Sequence, residues 1–397
     1  MIERNNTFIE RSLQKKRSIL ILGPRGSGKT FYIQDLLTAF AKTFTVDLLD
    51  NALFLRYLRR PELLTKELKL KVSDGEVLYV FIDEIQRVPL LLNEVHRSIE
   101  LYTDKVVFIL TGSSARKLKS QGTNLLAGRA LYMPFFPINI FEIDSDKYLQ
   151  KLIQFGSLPT VITENDPEMI KEYLNSYTYM YLKEEILQES IVRNLDLFSR
   201  FLEIAAFENG MPVNCSKIGK QIGITSATIK SHYQILEDTL LVTKIPSWTY
   251  SVRKQLQRNA KYYFFDNGII NALTGELSTE LRESSYRYGR LFENMVVNEI
   301  IRYNTIKRYH WKLYHYRTNH GVEIDLIIQK NLKATPIAVE IKSGEQPDKK
   351  DVKQFKTFLD EYPDAKCFVL CNTPTAYQDD YVMFYPFKEG IVEIFNC

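Results

Sequence analysis

The sequence predicts an α/β protein of several domains, and three observations carry that reading. An apolar run from Ser18 to Leu22 leads into the glycine-rich stretch Gly23-Pro24-Arg25-Gly26-Ser27-Gly28-Lys29-Thr30, which a mixed run from Phe31 to Phe40, read as helical, follows. Two further apolar runs, Val77 to Ile82 and Val106 to Leu110, end in polar residues, as strands of a parallel sheet covered on both faces do. Near the C-terminus a helix bearing Glu293 precedes two short strands bearing Asp325 and Glu340. At 397 residues the chain exceeds one ordinary core, and two or three domains are expected.

Each element of the first part has a chemical reason. Glycines at 23, 26 and 28 let the backbone curl so that N–H groups face a phosphate, and the following helix adds its positive dipole end. Residues 23–30, that is Gly23, Pro24, Arg25, Gly26, Ser27, Gly28, Lys29 and Thr30, form the expected nucleotide cradle. Lys29 would reach the β- and γ-phosphates of ATP, and the Thr30 hydroxyl would hold Mg²⁺. Thr43 to Leu49 reads as another strand of the sheet, and Asn51 to Leu70 as a helical segment that Pro61 interrupts. The run to Ile82 ends in Asp83-Glu84, which places Asp83 to hold Mg²⁺ through water and Glu84 to activate the attacking water. The third strand ends in Thr111-Gly112-Ser113-Ser114, hydroxyls suited to sensing the γ-phosphate.

These segments, Gly23 to Thr30, Phe81 to Gln86 and Leu110 to Ser114, resemble the AAA+ superfamily. More narrowly, they resemble the AAA_14 type of bacterial and archaeal ATPase that carries a DUF4143 domain after the ATPase. The resemblance implies a sensor role for Ser113. It also implies that Arg129, in Leu126-Ala127-Gly128-Arg129, completes a neighbouring subunit's site, with Arg116 as the competing residue or a surface ion pair as the plainer role. An arginine acting in trans implies a homo-oligomer, a hexameric ring among the arrangements.

The middle of the chain reads as a connector and a winged helix. Tyr148 to Gly156 and Pro167 to Ser190 read as helices around a Gly-Ser-Leu-Pro turn, and Tyr173, Tyr177 and Tyr181 as a packed helix stripe. Phe198 to Asn209 is a helix stopped by Gly210. Asn214 and Thr225 cap two more helices across the short turn Gly223-Ile224-Thr225. Leu240 to Pro246 and Lys261 to Phe265 supply wing strands. The expected reading helix exposes Ser226, Thr228, Lys230, Ser231 and His232, and its lack of arginine favours backbone or shape recognition over base reading. Interdomain packing is the alternative role.

In the C-terminal part, Leu291, Met295, Val296 and Ile300 face a core from one helix while Glu293 points at another angle. In Ala338-Val339-Glu340-Ile341-Lys342, Glu340 and Lys342 share a face, and a turn-like connection lets Asp325 lie beside Glu340. Asp325 and Glu340, with Glu293 added from the helix, make a hard oxygen site suited to Mg²⁺ or Mn²⁺. Lys342 beside them would orient a water and offset transition-state charge. The pattern resembles PD-(D/E)xK restriction-endonuclease-like nucleases, including the helix glutamate of resolvase-like members, although no proline immediately precedes Asp325. A binding-only version of the same fold is the alternative. His320 and Gln354 are secondary candidates beside the site.

Composition sets the outer bounds. The chain is 45% hydrophobic with no uninterrupted apolar run long enough for a membrane span, and residues 1–6 hold no hydrophobic signal core, so a soluble cytoplasmic protein is expected. Four widely spaced cysteines fit core packing better than zinc or disulfide chemistry. The net charge of +4 is weak evidence, but residues 301–320 hold five Lys or Arg, three His, one Trp and four Tyr without an acid. A second acid-free span, 247–262, holds Arg253, Lys254, Arg258 and Lys261. Both suit a phosphate backbone or exposed bases, or are solvated faces.

The expected organisation is an AAA+ ATPase core over 1–140, a helical connector over 141–193, a winged-helix domain over 194–284 and a PD-(D/E)xK-like domain over 285–397. The expected function is an ATP-hydrolysing, DNA-binding protein with a metal-dependent nuclease domain acting on branched or structured DNA. The alternatives are a remodelling protein with a silent nuclease-like domain and a nucleotide-controlled regulatory or defence switch.

Overall fold

The computed structural model describes residues 2–73, 75–114, 116, 118, 126, 128–181, 194–249, 258–347 and 352–397. The expected helix beyond residue 181 and the basic residues Arg253 and Lys254 lie outside the described residues. Contacts within the chain divide it into two compact units, residues 1–138 with 235–241, and residues 139–234 with 242–397.

In the first unit a five-stranded parallel sheet runs in the order β2 (Thr43–Asp47), β3 (Leu78–Asp83), β4 (Val106–Gly112), β1 (Ser18–Leu22), β5 (Ala130–Pro134). Alternation sends Leu20, Val80, Ile82, Phe108 and Leu110 into one apolar core, and Ile19, Ile21, Phe81, Val107 and Ile109 into the other. Burial on both faces is why these runs are apolar without a break. The expected helix after β2 is two helices, Asn51–Arg59 and Leu63–Lys71, with Pro61 between them. The sequence reading missed β5. As an edge strand it leaves Leu131 and Tyr132 exposed and ends at Pro134, so its pattern resembles a loop.

The second unit begins with helices Ser145–Phe155 and Pro167–Ser176, capped by Asp144 and Asp166. Tyr173 and Tyr177 pack with ring centroids 6.4 Å apart. Helix Leu195–Phe207 precedes the helix-turn-helix pair, in which the Asn214 side chain accepts from the Lys217 N–H and the Thr225 hydroxyl from the Thr228 N–H. Gly223 closes the helix Cys215–Ile222 in the left-handed conformation that its position requires. The helix Ser226–Asp238 presents Lys230 and Ser231 to solvent. His232 corrects the expectation: it is buried, its ring 4.8 Å from that of Phe198 and 5.0 Å from that of Phe201. The wing is an antiparallel pair, β6 (Val242–Ile245) and β7 (Lys261–Phe264).

The long helix Tyr286–Ile306 then leads into a six-stranded sheet, ordered β12 (Tyr377–Asp379), β13 (Val382–Pro386), β11 (Lys366–Cys371), β10 (Ile337–Ile341), β9 (Glu323–Gln329), β8 (Lys312–Arg317). Strands β8, β9 and β10 form an antiparallel meander, and β10 pairs parallel with β11 after the helix Gln354–Glu361. One face packs Trp248, Tyr316, Ile327, Phe355 and Phe384. Helices Tyr286–Ile306 and Phe387–Asn396 cover the other. Cys367 and Cys371 are buried free thiols, and burial pushes Cys367 up to about 12, as core packing demands. The aromatic residues of 301–320 are largely committed to packing: Trp311 is buried, and the Tyr309 ring stacks on Phe395 at 4.9 Å.

Candidate functional site

Two polar centres stand out, one in each unit. The first lies at the C-terminal edge of the parallel sheet. Gly23 is required there, because a Cβ would sit 2.1 Å from the Phe135 carbonyl oxygen. Gly28, at φ 90°, opens the helix Lys29–Leu37 without a side-chain cap, so the first turn keeps its N–H groups for a ligand. Lys29 is buried and its Nζ donates to the carbonyls of Gly23 (2.8 Å) and Pro24 (3.0 Å), which holds it against the loop. Ser27 Oγ is buried without a partner.

The acids of this centre are held by uncharged donors. Thr30 Oγ1 donates to Asp83 Oδ2 at 2.7 Å, and the Thr111 hydroxyl donates to Asp83 Oδ1. Burial raises the Asp83 carboxyl above its ordinary range, against the pull of these two hydroxyls. Glu84 adopts a left-handed backbone, φ 57°, which turns its side chain back toward the strand ends. Gln86 Nε2 donates to Glu84 Oε2 and to Ser113 Oγ (2.9 Å), and Ser113 Oγ lies 3.3 Å from the same Glu84 oxygen. The structure thus brings Thr30, Asp83, Glu84 and Ser113 together. Gln86 is the member that sequence reasoning overlooked, because an amide after an acidic pair carries no pattern of its own. The Thr30–Asp83 oxygen pair and the orphan Ser27 hydroxyl fit a magnesium–nucleotide ligand in donor chemistry. Arg129 pairs with Glu100 of the same chain at 2.5 Å on an exposed surface. Arg116 is half-buried.

The second centre gathers Glu293 from helix Tyr286–Ile306, Glu323 and Asp325 from β9, and Glu340 from β10. Strand register sets Asp325 beside Glu340: the Asp325 N–H points at Glu340 Oε2 (3.4 Å) and the Ile341 N–H donates to Asp325 Oδ2 (2.9 Å). Lys342 Nζ donates to Glu340 Oε1 at 2.9 Å, and Gln354 hydrogen-bonds Glu340. Tyr263 donates to Glu293 Oε1 at 2.7 Å. Burial, then the Asp325 charge, pushes Glu293 up to about 7 and Glu340 up to about 8; burial also raises Asp325. His320 is exposed.

Lys261 is the correction here. The sequence placed it in a basic surface span, but it is 1% exposed and its Nζ lies 2.7 Å from Glu323, 3.8 Å from Glu293 and 3.9 Å from Asp325. Burial pulls its ammonium down, but the three carboxylates outweigh that and hold it above its ordinary value. The usable signal was a lysine opening the apolar strand Lys261-Tyr262-Tyr263-Phe264, since a lysine buried there needs an acid. Among the described residues, no group of three or more His, Cys, Asp or Glu side chains converges as a metal site. As arranged, then, the donors do not fit a divalent ion.

Comparison with known proteins bears on this geometry. A family model described as an AAA domain, AAA_14, matches residues 15–144, and DUF4143, a domain of unknown function, matches residues 288–389. An AAA+ ATPase domain and a DUF4143 domain are therefore present. A third model, DUF8612, also of unknown function, matches residues 146–280. An uncharacterized protein of Haemophilus influenzae is 26% identical over 250 residues, 58% of this chain; the match spans only 59% of that relative's own length. An uncharacterized protein of Methanocaldococcus jannaschii is 24% identical over 382 residues, 88% of this chain and 80% of the relative. Among solved structures, the Aeropyrum pernix Orc1 protein in complex with DNA is similar at 12% identity and a TM-score of 0.27, over 68% of this chain and 91% of that one. Caenorhabditis elegans PCH-2 is similar at 19% and 0.26, over 38% and 45%. No helix among the described residues is long and apolar enough to cross a membrane.

Proposed function

We propose that the chain is a Mg²⁺-dependent ATPase that uses nucleotide turnover to act on DNA, with branched or structured DNA as the substrate class. The observation that carries the reading is the convergence of Thr30, Asp83, Thr111 and Glu84 at the strand edge beside an uncapped helix N-terminus. Thr30 and Asp83 would hold the magnesium ion, which neutralises phosphate charge when bound. Lys29, released from the Gly23 and Pro24 carbonyls, binds the terminal phosphates. Glu84 takes the proton of the attacking water, and Gln86 and Ser113 hold that carboxylate in place until the phosphate arrives. The backbone reading of the winged helix is supported by the exposed Lys230 and Ser231 on helix Ser226–Asp238. Arg129 acting on a neighbouring copy, in a homo-oligomer, belongs to the same reading.

The C-terminal centre belongs to it as a phosphodiester-cleaving site. The order helix, three-stranded meander, helix, parallel strand supports the restriction-endonuclease-like resemblance. So does the seating of Asp325, Glu340 and Lys342 on one patch. Because the donors as arranged do not fit a divalent ion, no cleavage step is derived through one. That same observation favours a second reading, in which the centre binds DNA or holds the domain together without cutting. One experiment separates them: incubate plasmid and junction DNA with the full chain in Mg²⁺ or Mn²⁺, with and without ATP, beside Lys29→Ala and Asp325→Ala. Cleavage lost in Asp325→Ala while ATP hydrolysis persists supports the first reading. Intact DNA under every condition supports the second, and full hydrolysis by Lys29→Ala overturns the nucleotide assignment.

A further inference from the structure

Arg4 precedes every motif of the first centre, yet its side chain reaches that centre's loop. Its Nη1 donates to the Ser27 carbonyl oxygen at 3.1 Å, and its Nη2 donates to the carbonyl oxygens of Phe136 (2.6 Å) and Pro137 (3.3 Å). The guanidinium carbon stands over the Phe135 ring, 4.6 Å from its centroid. Phe135 follows β5 directly, and its N–H donates to the Leu22 carbonyl at 2.8 Å. One half-buried side chain therefore fastens the loop 23–30 to the segment that continues β5. Carbonyls on two separate stretches of chain suit the planar, multiply donating fork of an arginine, which the point charge of a lysine does not reproduce.

Arg4 also has a fixed base. The helix Thr7–Gln14 begins three residues later, and its Ile9 and Leu13 are buried in the same core as Tyr32 and Phe135. Tyr32, on the helix that leaves the loop, donates from its hydroxyl to Glu10 Oε1 at 3.3 Å.

Peptide geometry says what the Ser27 contact does. In a trans peptide the C=O and N–H point in opposite directions, and no described peptide bond is cis. Holding the Ser27 carbonyl toward Arg4 turns the Gly28 N–H to the other side, where no acceptor among the described residues takes it. Gly28 would otherwise let this peptide rotate at little cost. A donor fixed before the anion arrives needs no reorganisation when it binds.

We propose that Arg4 is a positioning residue of the nucleotide site, which fixes the Ser27–Gly28 peptide so that the Gly28 N–H faces the phosphates. The inference rests on the reading of residues 23–30 as a nucleotide cradle. In this role Arg4 touches neither phosphate nor Asp83 and Glu84. A contact of this kind serves the bound nucleotide and the transition state alike, so its loss weakens binding and leaves turnover at saturation unchanged.

The test uses the full chain with Mg²⁺: ATP hydrolysis against ATP concentration, and ADP binding by titration calorimetry, for the wild type, Arg4→Ala, Arg4→Lys and Lys29→Ala. Arg4→Ala should raise the ATP concentration for half-maximal rate about tenfold and weaken ADP binding by a similar factor, with kcat within about twofold of the wild type. Arg4→Lys keeps the charge but not the fork, and should show about a threefold change in the same two quantities. It also carries the test if Arg4→Ala fails to fold. A residue that only fastened the N-terminal segment would lower the unfolding midpoint and leave both quantities where they were. Wild-type values in either Arg4 variant therefore overturn the proposal, whatever that variant's stability. A fall in kcat with an unchanged half-maximal concentration overturns it too. If Lys29→Ala loses ADP binding while the Arg4 variants keep it, the cradle stands and the role of Arg4 alone falls. A wild type that binds neither nucleotide removes the cradle and the inference together.

Discussion

The two acidic centres solve one problem in opposite ways. At the strand edge of the first unit, Asp83 and Glu84 are hydrogen-bonded by Thr30, Thr111, Gln86 and Ser113, all uncharged. In the second unit, Glu293, Glu323, Asp325 and Glu340 are met by the ammonium groups of Lys261 and Lys342. Hydroxyls and amides orient a carboxylate but leave its charge, so the first centre keeps its attraction for an incoming cation. Ammonium groups offset part of the charge, two of them against four carboxylates, so the second centre already holds cations of its own. A pattern of acids in a sequence therefore says little about metal binding until the charges opposite them are known.

The comparison can be broken most forcefully at Glu84. Glu84→Gln should lower ATP hydrolysis about 10³-fold while nucleotide binding persists, because the amide keeps the contacts with Gln86 and Ser113 but cannot take a proton. Phosphate release and fluorescent-nucleotide binding, measured on one preparation, check it, and a loss of binding equal to the loss of turnover would contradict the role. Lys29→Ala should reduce hydrolysis about 10²-fold, now through lost phosphate contact, which a rise in the nucleotide concentration needed for half-maximal rate would show.

Stability sharpens the contrast further. Glu323→Gln withdraws the nearest partner of a buried ammonium and should cost about 2–3 kcal/mol in denaturant unfolding. Thr111→Val removes a neutral donor from Asp83 and should cost about 1 kcal/mol. Equal costs at the two sites would mean that the charge pairing in the second centre is not what holds it.

An effect confined to acid conditions concerns His315 on β8. Burial, then the Lys261 charge, lowers its pKa to about 4, with its Nε2 3.0 Å from the Asn259 carbonyl oxygen and Glu323 and Arg317 also acting on it. Its folded value lies below its unfolded value of 6.5, so the unfolded chain binds more protons in that window. The resulting stability is fully present above pH 6.5 and is lost as pH falls toward 4. His315→Gln should remove on the order of 1–2 kcal/mol of this acid sensitivity, read as the difference between the two proteins' unfolding midpoints at pH 5 and pH 7.5.

Much of the molecule was legible in the chain because its signals are local. The loop 23–30, the apolar strands ending at Asp83-Glu84 and Thr111 to Ser113, the Asn214 and Thr225 caps and the alternation through Glu340 and Lys342 each depend on residues a few positions apart. What local signals could not give were β5, whose exposed edge lacks an apolar pattern, the burial of His232, and Gln86 as the clamp on Glu84. Lys261 is the clearest case. Whether a lysine is a solvated surface charge or a cation among carboxylates depends on what the fold sets opposite it, and its partners lie more than thirty residues further along the chain. The sequence alone determined which acids, hydroxyls and glycines the protein possesses and which strand ends carry them, because backbone periodicity is a short-range property. Only the tertiary structure decided which charges face each other, because electrostatic energy follows distance through space and is indifferent to distance along the chain.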